Sequence, residues 1–480
     1  MPLAKCSGSG KRHEALWQKD ILMAKYVGTA DLIEALAFLD QYPLVEGIDV
    51  VLTDSHGIGR GKTIRRHELE ALYKTGRGMP ASLFAQDIAG DDVEETGLVL
   101  KDGGGDSRCW PLFGTLGYIP ATGRGHVLVS MWDPDGQPNA AEPRHALVRQ
   151  VEKAIAMGFT PMGALEIEFY LVDQANGSRG RKQPARYALT KRHQLHTGTM
   201  SVDDLDEMAP FFDAVYAGAK TLGIPLETVI SEYAAGQYEF TLRYRDLLRA
   251  ADDVILAKRL IRATARRFEM EACFMAKPFG QTAGSGMHLH LSLNDKDGSN
   301  LFEDGPAGEL SDLMRHAIGG IRHTMGETML VLAPFLNSWR RFSSAVYSPA
   351  NDTWGFENRT VALRVLSGSA TSRHFEHRVA GVDANPYLVA AVTLAGALAG
   401  ISDKTDPGPA VEGSTYDASR VTHLPRSWLD AIDLCAGSDF MRVVLGDVLH
   451  QGFVAVKRAE FIKLAHEVTD AEWDLYGFIV

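Results

Sequence analysis

Apolar residues recur at helical spacing through "TADLIEALAFLDQYP", at Leu32, Ala35, Leu36 and Leu39, and the pattern stops before Pro43; it predicts a helix. The next stretch, "GIDVVLTDSHGIGRGKTI", runs strand, glycine-rich turn, strand, which is the pattern of a hairpin. Short strand patterns follow at Gly97–Leu100, Leu116–Ile119 and His126–Met131. Residues 27–135 therefore read as a small β-rich unit, preceded in 1–26 by a polar tail and the start of a helix. The turn-forming run "WDPDGQPNAAEPRH" marks a boundary, with Pro143 placed to open a helix over Arg144–Met157.

Beyond it, in 136–480, strand patterns fall at Gly163–Val172, Leu226–Tyr233, Gln237–Arg243, Ala272–Lys277, Gly286–Leu293, Val361–Leu366 and Phe375–Val379. Helical patterns fall at Met208–Leu222, Arg245–Glu271, Pro306–Met325, Pro386–Ala399 and Val454–Glu467. Hairpins as well as helices join the strands, so the class expected is α+β with a mainly antiparallel sheet.

Bulk properties narrow the function. A chain of 480 residues exceeds what one compact core usually holds. A formal net charge of −12 argues against a nucleic-acid binder and agrees with a small cationic substrate. The cysteines Cys6, Cys109, Cys273 and Cys435 show no paired spacing, which suits a reducing compartment and excludes a thiolate zinc site as the main feature. Residues 1–14 carry no apolar run of the secretory kind, and the apolar run Pro386–Ile401 falls short of the ~20 residues of a membrane span. A cytoplasmic protein with neither nucleic-acid nor membrane partners is expected.

Candidate chemistry lies on the strand patterns. In "GALEIEFYLVD", Glu166 and Glu168 are two apart and share a face, with Leu165, Ile167 and Phe169 opposite. "SEYAAGQYEF" adds Glu232 and Glu239, "GSGMHLHLSL" adds His288, and "RHFEHRV" adds Glu376. Carboxylates gathered with one imidazole suit Mg²⁺ or Mn²⁺. Arg340, Arg341, Arg359 and Arg364 supply cations of the kind phosphoryl transfer needs. No GxxxxGK[ST] loop is present, so an ATP site must be of another kind.

In order along the chain, "LTDSHGIGRGK", "EIEF", "SEYAAGQYEF", "KPFGQTAGSGMHLHLSL", "NSWRRF", "NRTVALRV" and "HFEHRVAGVDANPYL" resemble the glutamine synthetase superfamily over nearly the full length. The resemblance implies an N-terminal β-grasp-like domain and a C-terminal catalytic domain with a curved antiparallel sheet. It implies homo-oligomeric rings, a dodecamer of two hexamers, with active sites between subunits. ATP would phosphorylate the γ-carboxylate of glutamate, and an amine would then displace phosphate. By position, Glu168, Glu232 and Glu239 match ligands of one divalent metal, and Glu166, His288 and Glu376 those of another. His290, Ser292 and Arg364 match nucleotide-contacting positions; Gly284, Arg341 and Arg378 match glutamate-binding ones. Arg359 matches the arginine near the transferred phosphate, and Asp54 the aspartate lent by a neighbouring subunit to deprotonate the nitrogen.

The departures cluster at the amine. Where ammonia-using members carry a flap glutamate, "RRFSSAVYSPAND" has Tyr347 and no acidic residue before Asp352. A tyrosine offers an apolar wall with a polar tip, better suited to an alkyl amine than to ammonium. Further differences are Ser231 where histidine is common, Ala283 where asparagine is common, and His374 where arginine is common. "MPASLFAQDIAGDD" and "WGFENRTVALRV" resemble the γ-glutamylpolyamine (γ-glutamylputrescine) synthetase branch, so a ligase acting on putrescine or a related polyamine is expected. The acidic loop of Asp87, Asp91, Asp92, Glu94 and Glu95 offers a place for a distal ammonium. The alternatives are an ammonia-dependent glutamine synthetase, a ligase for ethanolamine or a monoamine, and a non-catalytic family member.

Overall fold

The computed structural model describes residues 30–100, 103–177, 180–303, 310–343, 347–349, 351–416 and 424–480. The tail expected over 1–26 lies outside them.

The first sheet has six strands: β1 (Gly47–Thr53), β2 (Gly59–Arg65), β3 (Arg77–Pro80), β4 (Asp106–Pro111), β5 (Gly117–Ile119) and β6 (Arg124–Trp132). Their order is β2-β1-β6-β4-β3, with β5 also on β6. The expected hairpin is the antiparallel pair β1/β2, and β1 runs parallel to β6. The expected helix is Leu32–Gln41, started by Asp31, whose carboxylate accepts the Ile33 amide at 2.9 Å. No strand forms at Gly97–Leu100. A 3₁₀ turn, Glu94–Thr96, precedes it, and Gly97 and Leu100 take left-handed φ values of 68° and 52° that a strand does not accommodate.

The second sheet has nine strands: β7 (Thr160–Asp173), β8 (Leu226–Ser231), β9 (Gln237–Leu242), β10 (Arg245–Asp246), β11 (Met270–Cys273), β12 (Met287–Asn294), β13 (Trp354–Phe356), β14 (Leu363–Val365) and β15 (Phe375–His377). The path is β13-β14-β15-β12-β7-β9-β8, with β10 and β11 on β7, and only β13/β14 is parallel. β7 is its spine: Leu165, Ile167 and Phe169 are fully buried on the core face while Glu166 and Glu168 point the other way.

The single helix expected over Arg245–Glu271 is instead strand, helix and strand. Asp246 accepts the Arg249 amide at 3.0 Å and starts the helix at Leu247, and Glu269, at φ 62°, ends the turn after Arg267. The helix expected from Pro306 runs Asp312–Leu332 behind a Ser311 cap; residues 304–309 are not among those described. The helix expected over Val454–Glu467 starts earlier, at Asp447, and ends at Ala465. The apolar run becomes helix Pro386–Asp403, the one described helix long and apolar enough to cross a membrane. It is mostly buried, packed against helices Asp312–Leu332 and Pro143–Ala156. The larger core continues from it beneath the second sheet and takes in Val51, Leu112, Ile119 and Leu128 from the first.

Candidate active site

Register alone brings the charged residues together. His288 on β12 lies directly opposite Glu166 on β7, Glu168 opposite Glu239 on β9, and Arg364 and His290 opposite Glu376 on β15. Directly opposed residues share a face, so one concave face collects all of them. Glu232 follows β8, where its amide donates to the Gln237 carbonyl at 2.9 Å and closes the β8–β9 turn. All of these side chains except His290 line a cavity of about 560 Å³.

Of the expected residues, Glu166, Glu168, Glu232, Glu239, His288, Glu376, Gly284, Arg341, Arg359, Arg364, Arg378 and Tyr347 all line this cavity. His290 and Ser292 lie on the same strand as His288 but do not line it. Asp54 is not brought to the cavity of its own chain. It is buried at the end of β1, where its carboxylate accepts the His56 and Ile58 amides, each at 2.9 Å, and the Arg60 Nε at 2.8 Å. Asn385, cap of helix Pro386–Asp403, donates through Nδ2 to the Asp54 and Ser55 carbonyls at 3.0 and 3.3 Å and ties that loop to the core.

The electrostatics divide the carboxylates. Burial works against ionisation of Glu166, but hydrogen bonds from His288 and His290 outweigh it and hold its carboxyl well below the usual range. Burial likewise opposes Glu376, and His288 and Arg378 still draw it down. Arg364 reaches Glu376 at 3.2 Å, and Arg378 pairs with it as well. Glu239 goes the other way: burial, then the charges of Glu166, Glu168, Glu232 and Glu376, push it well above the usual range. Burial and then Glu168 push Glu232 up to about 7. His288 Nδ1 lies 3.1 Å from Glu166 and 3.3 Å from Glu376, while its Nε2 is buried with no hydrogen-bond partner among the described residues. Mutually repelling carboxylates beside an orphaned imidazole nitrogen are a donor set that fits divalent cations. The compact groups are Glu166, Glu239, His288 and Glu166, His290, Glu376, so they cut across the two expected ligand sets.

The glycines before β12 are explained by the protein's own side chains. A Cβ on Gly284 would sit 2.7 Å from Arg341 Cγ and 2.9 Å from the Ala276 carbonyl. One on Gly286 would sit 2.7 Å from both Arg341 Nη2 and His288 Nε2. Gly284 thus makes room for Arg341. Two of the five acids in the acidic loop are already paired: Lys463 reaches Asp87 at 2.9 Å and Asp91 at 2.7 Å, and Asp87 also accepts the Ala89 and Asp91 amides. Sequence reasoning missed Tyr233 and Gln237, which also line the cavity. Tyr233 packs edge-to-face on Tyr347 with ring centroids 5.7 Å apart; its place directly after Glu232 was the available signal.

Carboxylates, arginines and an orphaned imidazole thus meet in one cavity on one face of a mainly antiparallel sheet. The family model for the glutamine synthetase catalytic domain matches residues 140–476, and the chain belongs to that family. It is 37% identical over 448 residues to the gamma-glutamylputrescine synthetase PuuA of Escherichia coli (strain K12), covering 93% of this chain and 94% of that one. It is 30% identical over 450 residues to a glutamate–isopropylamine ligase of Pseudomonas sp, covering 91% and 95%. Among solved structures, a GmaS/ADP complex superposes with a TM-score of 0.79 at 25% identity, covering 92% of this chain and 98% of that one. The glutamine synthetase fold expected from the sequence is thus the fold observed.

Proposed function

We propose that this protein joins glutamate to an alkyl amine at the expense of ATP, through γ-glutamyl phosphate, with a polyamine such as putrescine as the acceptor. The observation that carries this is the composition of the cavity: anionic and cationic side chains line it together with the exposed, mutually packed rings of Tyr233 and Tyr347. The name of the Escherichia coli relative points to the same acceptor.

In this scheme Glu166, Glu168, Glu232, Glu239, His288 and Glu376 hold two divalent ions, Mg²⁺ or Mn²⁺. When bound, the ions screen the repulsion between the ATP phosphates and the substrate carboxylate. Arg341 and Arg378 hold the carboxylates of glutamate, and Gly284 leaves space for the first of them. Arg359 stabilises the phosphoryl group in flight, and Arg364 holds the nucleotide phosphates. The phosphorylated γ-carboxyl is then open to attack by the amine nitrogen, phosphate leaves, and the proton lost from nitrogen passes to a carboxylate. Asp54 takes that role from a neighbouring copy, within a dodecamer of two hexameric rings. Tyr233 and Tyr347 give the alkyl chain an apolar wall that ammonium cannot use.

Phosphate release from ATP and glutamate, measured against ammonium, putrescine, ethanolamine and isopropylamine, tests the proposal. Putrescine is expected to give the highest kcat/KM. Ammonium exceeding every alkyl amine would overturn the acceptor, and no amine-dependent phosphate release would overturn the activity.

A further inference from the structure

The loop that carries Asp54 is gripped from a second side by helix Asp447–Ala465, through one buried carboxylate. Glu460 on that helix is 3% exposed and joins three segments. Its Oε1 lies 2.6 Å from His56 Nε2 and 2.8 Å from the Ile88 amide nitrogen, and its Oε2 accepts from Lys457 Nζ at 2.9 Å. Burial works against its ionisation, but Lys457 and His56 outweigh burial and hold the carboxyl far below the usual range. A carboxylate only accepts, so the His56 ring and the Ile88 amide both donate to it. Phe335 sets the same ring from its face, with centroids 5.8 Å apart and planes 18° from parallel. The fully buried Lys457 ammonium lies 4.0 Å from the Phe335 centroid. His56 therefore has its side chain fixed by Glu460 and Phe335, while its own amide donates to Asp54 Oδ1 at 2.9 Å. Arg60 Nε closes on the other oxygen of Asp54 at 2.8 Å.

Packing alone does not call for this arrangement. A buried ion pair is often no more stabilising than an apolar pair of the same volume, and Asn385 already ties the Asp54 and Ser55 carbonyls to the core. What the carboxylate adds is direction: Asn385 holds the backbone of the loop, and Glu460 orients the residue whose amide bonds the Asp54 carboxylate. Resting on the function proposed above, we infer that Glu460 and His56 are positioning residues that aim the Asp54 carboxylate at the amine nitrogen in a neighbouring copy's cavity, and that Lys457 holds Glu460 in place for this. The same helix holds the acidic loop, by the Ile88 amide and by Lys463 on Asp87 and Asp91, so the two loops are set as one piece. Loss of this support costs the amine step and spares glutamate and ATP, because none of Glu460, His56 and Lys457 lines the cavity of its own chain.

The test uses the full-length protein with Mg²⁺, ATP and glutamate, and putrescine, ethanolamine, isopropylamine and ammonium in turn. Two signals are followed. One is kcat for amine-dependent phosphate release; the other is scrambling of ¹⁸O between bridging and non-bridging positions of the ATP β-phosphate with glutamate alone, which reports γ-glutamyl phosphate formation. His56→Phe keeps a ring to stack on Phe335 and removes the donor, and Lys457→Met/Glu460→Gln removes both buried charges together. Each is expected to lose ~10–100-fold in kcat, with scrambling and the KM for glutamate and ATP within about threefold of wild type. Asp54→Asn should show the same selective loss. Adding His56→Phe to it should cost less than about twofold more, because residues that act through one another are not additive. Wild-type kcat in His56→Phe, an equal loss in scrambling or in KM for glutamate, or additive losses in the combined variant overturns the inference and leaves the proposed function standing. Asp54→Asn at wild-type kcat overturns the inference together with the role given to Asp54. Wild type without amine-dependent release overturns the proposed function itself.

Discussion

Replacing Gly286 with alanine separates damage to the site from damage to the fold. The added Cβ would lie 2.7 Å from Arg341 Nη2 and from His288 Nε2, where ordinary contact begins at 3.4 Å, so both side chains must retreat by about 0.7 Å. Both atoms are far ends of side chains, and neither move requires backbone to shift. Misplacing reacting groups by ~1 Å can cost ~10²-fold in rate, or about 2.7 kcal/mol of barrier. The steric cost to folding is offset by the ~0.4–1 kcal/mol gained when an alanine stiffens the unfolded chain. Gly286→Ala is therefore expected to melt in urea within about 1 kcal/mol of wild type, with kcat/KM for glutamate ~100-fold lower. Gly284→Ala is the contrast. Its Cβ meets the Ala276 carbonyl at 2.9 Å as well as Arg341, so it is expected to lose ~1–3 kcal/mol of stability besides activity. Near-wild-type turnover in Gly286→Ala, or equal loss of stability in the two variants, would refute the steric reasoning.

Four further outcomes follow from the same contacts. Asp252→Ala removes the buried carboxylate that holds Arg144 at 2.9 and 3.0 Å and accepts from Tyr387; urea unfolding should show a loss of ~3–5 kcal/mol. Burial and Glu168 lift Glu232 to about 7, and a cation binds only the carboxylate form, so metal must displace a proton below that pH. Apparent Mg²⁺ affinity in calorimetry should fall by ~10-fold or more per pH unit below 7; an affinity flat from pH 6 to 8 would contradict this. Removing both rings in a Tyr233→Ala/Tyr347→Ala variant should raise KM for putrescine ~10-fold and leave KM for glutamate nearly unchanged, by steady-state kinetics. Asn385→Ala removes a helix cap worth ~1 kcal/mol and the donors that hold the Asp54 loop, so hydrogen exchange at the His56 and Ile58 amides should accelerate along with the loss of stability.

What the sequence made legible, and what it hid, follows from the range of the forces involved. Strand parity is local: a period of two puts Glu166 with Glu168 and buries Leu165, Ile167 and Phe169, so the acidic face could be read before the fold was known. β3 and β4 could not, because "RGMP" and "DSRCWP" carry no clean alternation and form only by pairing with each other and with β6. Helix limits slipped where one side chain decides them, as Asp246 does for the helix at Leu247. The reason for Gly284 and Gly286 lay in Arg341, more than fifty positions away, and the contact between His290 and His374 spans 84 positions.

The acidic face is also where pattern and energetics make the same statement. Alternation brings the carboxylates of β7, β9 and β15 onto one surface, Glu232 joins them from the turn after β8, and burial with this crowding pushes Glu239 and Glu232 upward. Left with protons alone, the face would stay partly neutral near pH 7. The two arginines on Glu376 compensate only one edge of it, and the middle, around Glu168, Glu232 and Glu239, gains most from divalent charge. A fold that keeps so many acids around one cavity has built in a demand for counter-charge that protons meet only in part.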